Sequence, residues 1–186
     1  MRNMVQHIPS AASDFARNTR GVSAVEFALI LPFMLLLYLG GVEVTRAITV
    51  DRKVTAATSA IGDLVAQSPE ISNGDLNNIY HAARAILSPY DGDALEIVVS
   101  SVRVDADGAT VVWSSSKNGT CRATGSTIAL PDNIANEDQY VIVAEASYPY
   151  QSGIGKIITD GFTLSDTFYL RPRQSESVER VGNLNC

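Results

Sequence analysis

From Val22 to Gly41 the chain runs almost without a break through apolar side chains, and from Ala47 onward such residues return only at every third or fourth position. The first pattern covers 20 residues. As a helix rising about 1.5 Å per residue it spans about 30 Å, the thickness of a bilayer's hydrocarbon core. The second pattern, Ala47, Val50, Val54, Ala57, Ala60, Ile61, Leu64 and Val65, marks one face of a helix. Together they predict a single helix of roughly 50 residues, N-capped near Ser13-Asp14, that leaves the membrane and is stopped by Pro69. Its outer half is rich in Ala and Val, so it can approach a sheet or another helix closely.

Beyond Pro69 the pattern shortens. Ser72-Asn73-Gly74-Asp75 is a capping cluster, followed by Leu76, Ile79, Tyr80, Ala83, Ile86 and Leu87 at helical spacing and closed by Pro89. Strands are predicted at Leu95–Val104 and Ala109–Ser114, joined by the turn Asp105-Ala106-Asp107-Gly108, and again at Gln139–Tyr148 and Thr163–Leu170. Ile154–Thr159 reads as a helical turn or a strand extension. The expected fold class is α+β: a long N-terminal transmembrane helix continuing into a domain with a short helix and an antiparallel sheet. In domain terms this gives a leader at 1–21, a span at 22–42, the helix continuation at 43–68 and an α+β domain at 69–186.

One carboxylate interrupts the membrane-length run. Glu26 sits five residues after Gly21, and a charge at that depth costs roughly 2.5 to 3.5 kcal/mol on insertion scales. A removable secretory signal would be shorter and would end in a small-x-small site on its far side, whereas this run continues into Glu43, Thr45 and Arg46. An ordinary single-pass anchor explains the apolar run and gives no reason for Glu26. A class III signal peptide, cut between Gly21 and Val22, gives one. Val22 then becomes the N-terminus, and Glu26 can pair with the free α-amine of a neighbouring subunit as helices stack, which offsets its burial only during assembly. The residues alone leave the last two readings open. Pro32, inside the span, reads either as a harmless kink or as a point where the helix bends on packing.

Charge sets the expected topology and excludes some partners. Arg2, Arg17 and Arg20 precede the span against Asp14 alone, and a basic flank stays cytoplasmic, so the bulk of the chain is expected outside the inner membrane, in the periplasm. Residues 51–186 hold ten Lys and Arg against seventeen Asp and Glu, a net charge of about −7. That balance argues against nucleic acid or anionic lipid as a partner, since both need clustered positive charge. Two cysteines, Cys121 in the polar stretch Ser114–Cys121 and Cys186, are too few and too far apart for a metal site. In an oxidising compartment their natural pairing is an intramolecular disulfide, with a bridge between subunits through Cys186 as the alternative.

Catalytic chemistry has little to work with. His7 and His81 are the two histidines, and neither can assemble a catalytic set or a metal cluster. The carboxylates at Asp91, Asp93 and Asp105–Asp107 lack the spacing and bidentate glutamate of a calcium loop and read as turns. No phosphate-binding loop, dinucleotide fingerprint or nucleophile elbow is present. Asn118-Gly119-Thr120 is a glycosylation sequon by its letters and a loop by its context. Tyr148, Tyr150, Phe162, Phe168 and Tyr169 are expected in the core or on a protein-binding surface, and Arg171 and Arg173 are expected to project together beside Pro172.

The stretch Gly21-Val22-Ser23-Ala24-Val25-Glu26-Phe27-Ala28-Leu29, its Pro-containing continuation and Glu43-Val44-Thr45-Arg46-Ala47 resemble the TadE-like minor pilins, or pseudopilins, of the tight-adherence pilus system. Tyr148-Pro149-Tyr150 and Leu170-Arg171-Pro172-Arg173 add to the resemblance, while Gly62 to Asn136 contributes none. The related TadG-like proteins share the apolar start but are usually much longer. The resemblance implies a pilin-like domain and a non-enzymatic role in pilus assembly, without cofactor or metal. It also implies a prepilin peptidase acting at Gly21 and Val22, and Glu26 as the assembly residue. The implied partners are the inner membrane, other pilin and pseudopilin subunits and the pilus assembly platform. A single-pass envelope binding or sensor protein, an anchored hydrolase and a major pilin remain as alternatives.

Overall fold

The computed structural model describes residues 19–106, 108–131, 134, 136–152 and 161–182. Two compact units divide the chain, Met1–Val44 and Thr45–Cys186. Helix α1, Thr19–Ala66, runs unbroken for 48 residues with Pro32 inside it. Its expected cap at Ser13-Asp14 lies outside the described residues. Its other end comes three residues before Pro69, where the Gln67 amide bonds to the Asp63 carbonyl and the Ser68 amide to that of Val65.

The outer part of α1 buries Val50, Val54, Ala57, Ile61 and Val65, as its periodicity predicts. Leu64 departs from that expectation, being 40% exposed. The buried stripe is rotated toward Thr58, Gly62 and Ala66 instead. A Cβ on Gly62 would lie 2.5 Å from Leu170 Cδ1 and 3.2 Å from Ala144 Cβ, so a hydrogen at this position is what lets the sheet approach α1 on that side. Thr58 lies within the stripe because its hydroxyl donates to the Val54 carbonyl, 2.8 Å away, and so needs no outside partner.

Strand β1, Glu70–Ile71, leads into helix α2, Asn73–Leu87. Ser72 caps α2 in the way its sequence predicts: its Oγ accepts from the Asp75 amide, while the Asp75 carboxylate accepts from the Ser72 amide at 3.0 Å and from its hydroxyl at 2.6 Å. Two of the helix's orphan donors are satisfied at once. Leu76, Ile79, Tyr80, Ala83 and Leu87 face the core, and each fully buried aliphatic side chain is worth about 1.5 to 3 kcal/mol in transfer terms.

A 3-10 turn at Gly92–Ala94 precedes the sheet. Its strands are β2 (Glu96–Asp105), β3 (Gly108–Lys117), β4 (Thr127–Ile128), β5 (Tyr140–Tyr150) and β6 (Phe162–Leu170). They are antiparallel in the order β4-β3-β2-β5-β6. The β2–β3 hairpin closes with Asp105 opposite Gly108, whose φ of +134° suits glycine. The pairing then slips between Ser101 and Val102: Ser101 faces Trp113 and Val102 faces Val111, so Val112 bulges out. That extra residue turns Trp113 and Val111 to opposite faces. Trp113 joins the main core with α1, α2, Ile97, Val99, Ile142 and Ala144, and Val111 joins a second core with Val102, Ala109, Val141 and Val143.

Strand β3 also runs past its predicted end at Ser114 to Lys117, into the polar stretch before Cys121. Ser114–Ser116 lie opposite Val98–Ser100, where the buried hydroxyls of Ser100 and Ser114 hydrogen-bond to each other at 3.0 Å and satisfy one another inside the sheet. The segment Ile154–Thr159 lies outside the described residues. After β6 the chain returns as β7, Glu179–Arg180, parallel to β1. Four bonds fix this return: the Arg173 amide to the Ala66 carbonyl at 2.8 Å, Glu179 to Pro69 and Val181 to Ile71 at 3.0 Å each, and the Trp113 indole N–H to the Val178 carbonyl at 2.8 Å. Nothing in local pattern announces a two-residue parallel pair.

Candidate functional site

The first unit offers a surface and little else. Between Gly21 and Val44 the helix buries no large apolar side chain in the protein: Phe27, Leu29, Phe33, Leu36, Leu37 and Tyr38 are all exposed. The most apolar window of the helix has a mean hydropathy of 2.2. A stripe of this extent is left for lipid or other chains to cover. The helix is long and apolar enough to cross a membrane once.

Within it, Gly21, Val22 and Glu26 lie on consecutive turns of α1, all exposed. A side chain built on Gly21 would meet nothing within 4 Å, so the fold itself does not require glycine there. Any requirement for it comes from outside the chain. Glu26 has no cation partner among the described residues, and in hydrocarbon such a carboxylate is the group that most gains from a positive charge brought by another molecule.

The second unit offers no assembled catalytic set among the described residues. No cluster of three or more His, Cys, Asp or Glu suited to a metal occurs there. His81 is exposed on α2. Three of the turn aspartates have structural work, and the fourth, Asp107, lies outside the described residues: Asp91 caps the 3-10 turn at the Asp93 amide, Asp93 pairs with Arg84, and Asp105 pairs with Arg103 at 3.2 Å. Asn118 of the sequon holds φ at +62° and donates its side-chain amide to the carbonyls of Asp93 and Leu95, 2.8 and 2.9 Å away. It is a clamp between the 3-10 turn and the end of β3.

Arg171 and Arg173 do not act together as expected. The Arg171 guanidinium donates to the Ile134 carbonyl at 3.0 Å, and that of Arg173 pairs with Asp63 on α1 at 2.5 Å. Pro172 between them separates two partners rather than presenting two free charges. Arg122 makes a two-pronged pair with Glu145 across the sheet, one contact at 2.8 Å, and this carboxylate bond holds its guanidinium above the usual range. Cys121 is not a free thiol and its Sγ lies 3.1 Å from Ser116 Oγ. Cys186 lies outside the described residues, so the expected Cys121–Cys186 bond stays a proposal.

The aromatic residues divide. Tyr148 and Tyr150 are buried at 8% and 6% exposure, Phe162 stands 51% exposed with its ring centroid 5.3 Å from that of Tyr150, and Phe168 and Tyr169 are half-buried. Tyr148 and Tyr150 line a cavity of about 560 Å³ with Arg46 from α1, Tyr90, Asp91 and Gln151. Burial, with the Asp91 charge acting in the same direction, pushes the Tyr148 phenol above its ordinary pKa, so it stays protonated at neutral pH. The sequence held these groups in three separate segments, and only the Glu43–Ala47 and Tyr148–Tyr150 motifs hinted that two of the segments mattered.

Residues 21–62 match the family model of TadE-like proteins. No curated protein and no solved structure matches the chain. The matched stretch begins at Gly21, takes in Glu26 and the exposed apolar surface, and ends on Gly62, where α1 meets the sheet.

Proposed function

We propose that this protein is a non-enzymatic pseudopilin, anchored by one pass in the inner membrane with its C-terminal domain in the periplasm, that takes part in assembling a tight-adherence pilus. A prepilin peptidase removes residues 1–21, and other pilin and pseudopilin subunits and the assembly platform are the partners. The observation that carries the reading is Glu26, exposed on a helix of membrane length, without a cation partner among the described residues and inside the stretch that matches TadE-like proteins. Cleavage before Val22 supplies the missing cation as a free α-amine four residues from the carboxylate. On a helix, residues four apart lie on the same face, so the amine of one subunit reaches Glu26 of the next only after a shift along the filament axis.

Glu26→Ala tests this. The variant is expected to insert as well as wild type or better, because a charge costing roughly 2.5 to 3.5 kcal/mol is gone, while piliation and surface adherence fall. Normal adherence from a correctly inserted variant returns Glu26 to a tolerated polar residue. In parallel, Gly21→Val should block removal of the leader without disturbing the fold, since open space surrounds Gly21. Mass spectrometry of the mature protein reads the outcome, and an unprocessed wild type would favour a single-pass envelope binding or sensor protein.

A further inference from the structure

We propose that the cavity lined by Arg46, Tyr90, Asp91, Tyr148 and Tyr150 is a binding site for a zwitterionic phospholipid headgroup with a primary ammonium, in which Arg46 holds the phosphate and Asp91 with the tyrosine rings holds the ammonium. The inference rests on the reading of residues 22–42 as the membrane span.

Depth comes first. Arg46 follows the last span residue by four positions on the same continuous helix, about 6 Å along its axis. A headgroup layer adds roughly 5 to 8 Å to each side of the hydrocarbon. Arg46 therefore stands at phosphate level. Tyrosine is the side chain that settles at this level, with its ring in the apolar edge and its hydroxyl in the wet one.

The chemistry then selects the headgroup. Arg46 is exposed and makes no ion pair with the described residues, so its fork of donors is available to a phosphate. Asp91 brings a negative charge to the same cavity, and one of its oxygens, Oδ1, is spent on the Asp93 amide. Tyr90, Tyr148 and Tyr150 line the same cavity, and an aromatic ring attracts a cation that reaches its face. One cation, one anion and aromatic walls match a ligand with a phosphate at one end and an amine at the other. A purely anionic headgroup fits worse, both for Asp91 and for a domain whose residues 51–186 carry a net charge of about −7. A volume of about 560 Å³ accommodates such a headgroup with its glycerol.

The test uses the full chain in detergent micelles with phosphatidylethanolamine, phosphatidylcholine and phosphatidylglycerol in equal amounts, and native mass spectrometry counts the lipids retained. Wild type is expected to keep phosphatidylethanolamine at least about threefold over the other two, because the trimethylated amine of phosphatidylcholine cannot donate to Asp91. Arg46→Gln should lower retention of all three, Arg46→Lys should restore most of it, and Asp91→Asn should erase the preference for phosphatidylethanolamine over phosphatidylglycerol. Both positions are exposed, so the variants should fold, and carbonate extraction reports separately whether the span inserts. Equal retention of the three lipids by wild type, or unchanged retention by Arg46→Gln in an inserted protein, overturns the proposal. Displacement of the lipid by an equimolar amount of glycerophosphoethanolamine overturns the lipid assignment in favour of a soluble phosphoamine.

Discussion

Gly62 allows the closest quantitative check on how α1 meets the sheet. Alanine at this position would gain about 1 kcal/mol of helix propensity and lose a comparable amount as Leu170 Cδ1 swings away from 2.5 Å and Ala144 yields a few tenths of an ångström. Gly62→Ala should therefore stay within about 1 kcal/mol of wild type. Gly62→Val adds two further methyls to a filled space, and such overpacking costs about 1 to 3 kcal/mol against a few tenths gained in propensity. Leu170 is half-buried, so Leu170→Ala alone should cost less than the 2 to 5 kcal/mol of a fully buried leucine. In the double variant the valine methyls occupy the room that the leucine leaves. The two changes should then be less damaging together than their sum by at least about 1 kcal/mol. Trp113, the one tryptophan of the chain and 2% exposed in the same core, reports denaturant unfolding of the full chain in micelles. Additivity within about 0.5 kcal/mol would show that α1 does not rest on Leu170 at Gly62 and would remove the reason given for glycine there.

Two further outcomes are expected. Hydrogen bonds from the Ser72 hydroxyl and amide hold the Asp75 carboxyl below its ordinary pKa, so their contribution is present above the unfolded value near 3.9 and is lost as pH falls through the folded value. Ser72→Ala should cost about 1 kcal/mol at neutral pH and, like Asp75→Asn, flatten the loss of stability below about pH 4 seen in an acid titration of wild type. For the cysteines, non-reducing mass spectrometry of the wild-type monomer should show Cys121 bonded to Cys186. Removing either should cost at most about 4 kcal/mol by loop-closure entropy, and a Cys186-linked dimer as the main species would transfer the bridge to a subunit contact.

The elements that were legible in the sequence are those whose partners lie close by. Helix α2 declared itself through Ser72 and Asp75, three residues apart, and the β2–β3 hairpin through Asp105 and Gly108. The strand was legible up to Ser114, and its continuation through Ser115–Lys117 was hidden because serine favours a loop until a neighbouring strand, here Val98–Ser100, pairs with it. Leu64 fitted the helical period, yet the small residues Gly62 and Ala66 drew the buried face away from it. Strand β7 depends on Trp113, 65 residues from Val178, and no window along the chain contains both. The candidate site divides in the same way. Gly21, Val22 and Glu26 were readable because they form one contiguous motif. The cavity was not, because Arg46, Tyr90 and Tyr148 meet only after the sheet has formed.

The return of the chain at β7 bears on the order in which the domain can be completed. Synthesis delivers the corner at Ala66, Pro69 and Ile71 first, and the amides that bond to its carbonyls, on Arg173, Glu179 and Val181, emerge only after the whole sheet has been made. Until they do, the end of α1 and the strand beside α2 have these carbonyls facing solvent, and Trp113 has an indole N–H without its acceptor. The sheet can assemble from Glu96 to Leu170 in the meantime, so the nascent domain passes through a stage with a formed sheet and an unlatched corner. Arrival of the tail is thus a closing step, and a chain shortened after Leu170 would be held at the stage before it.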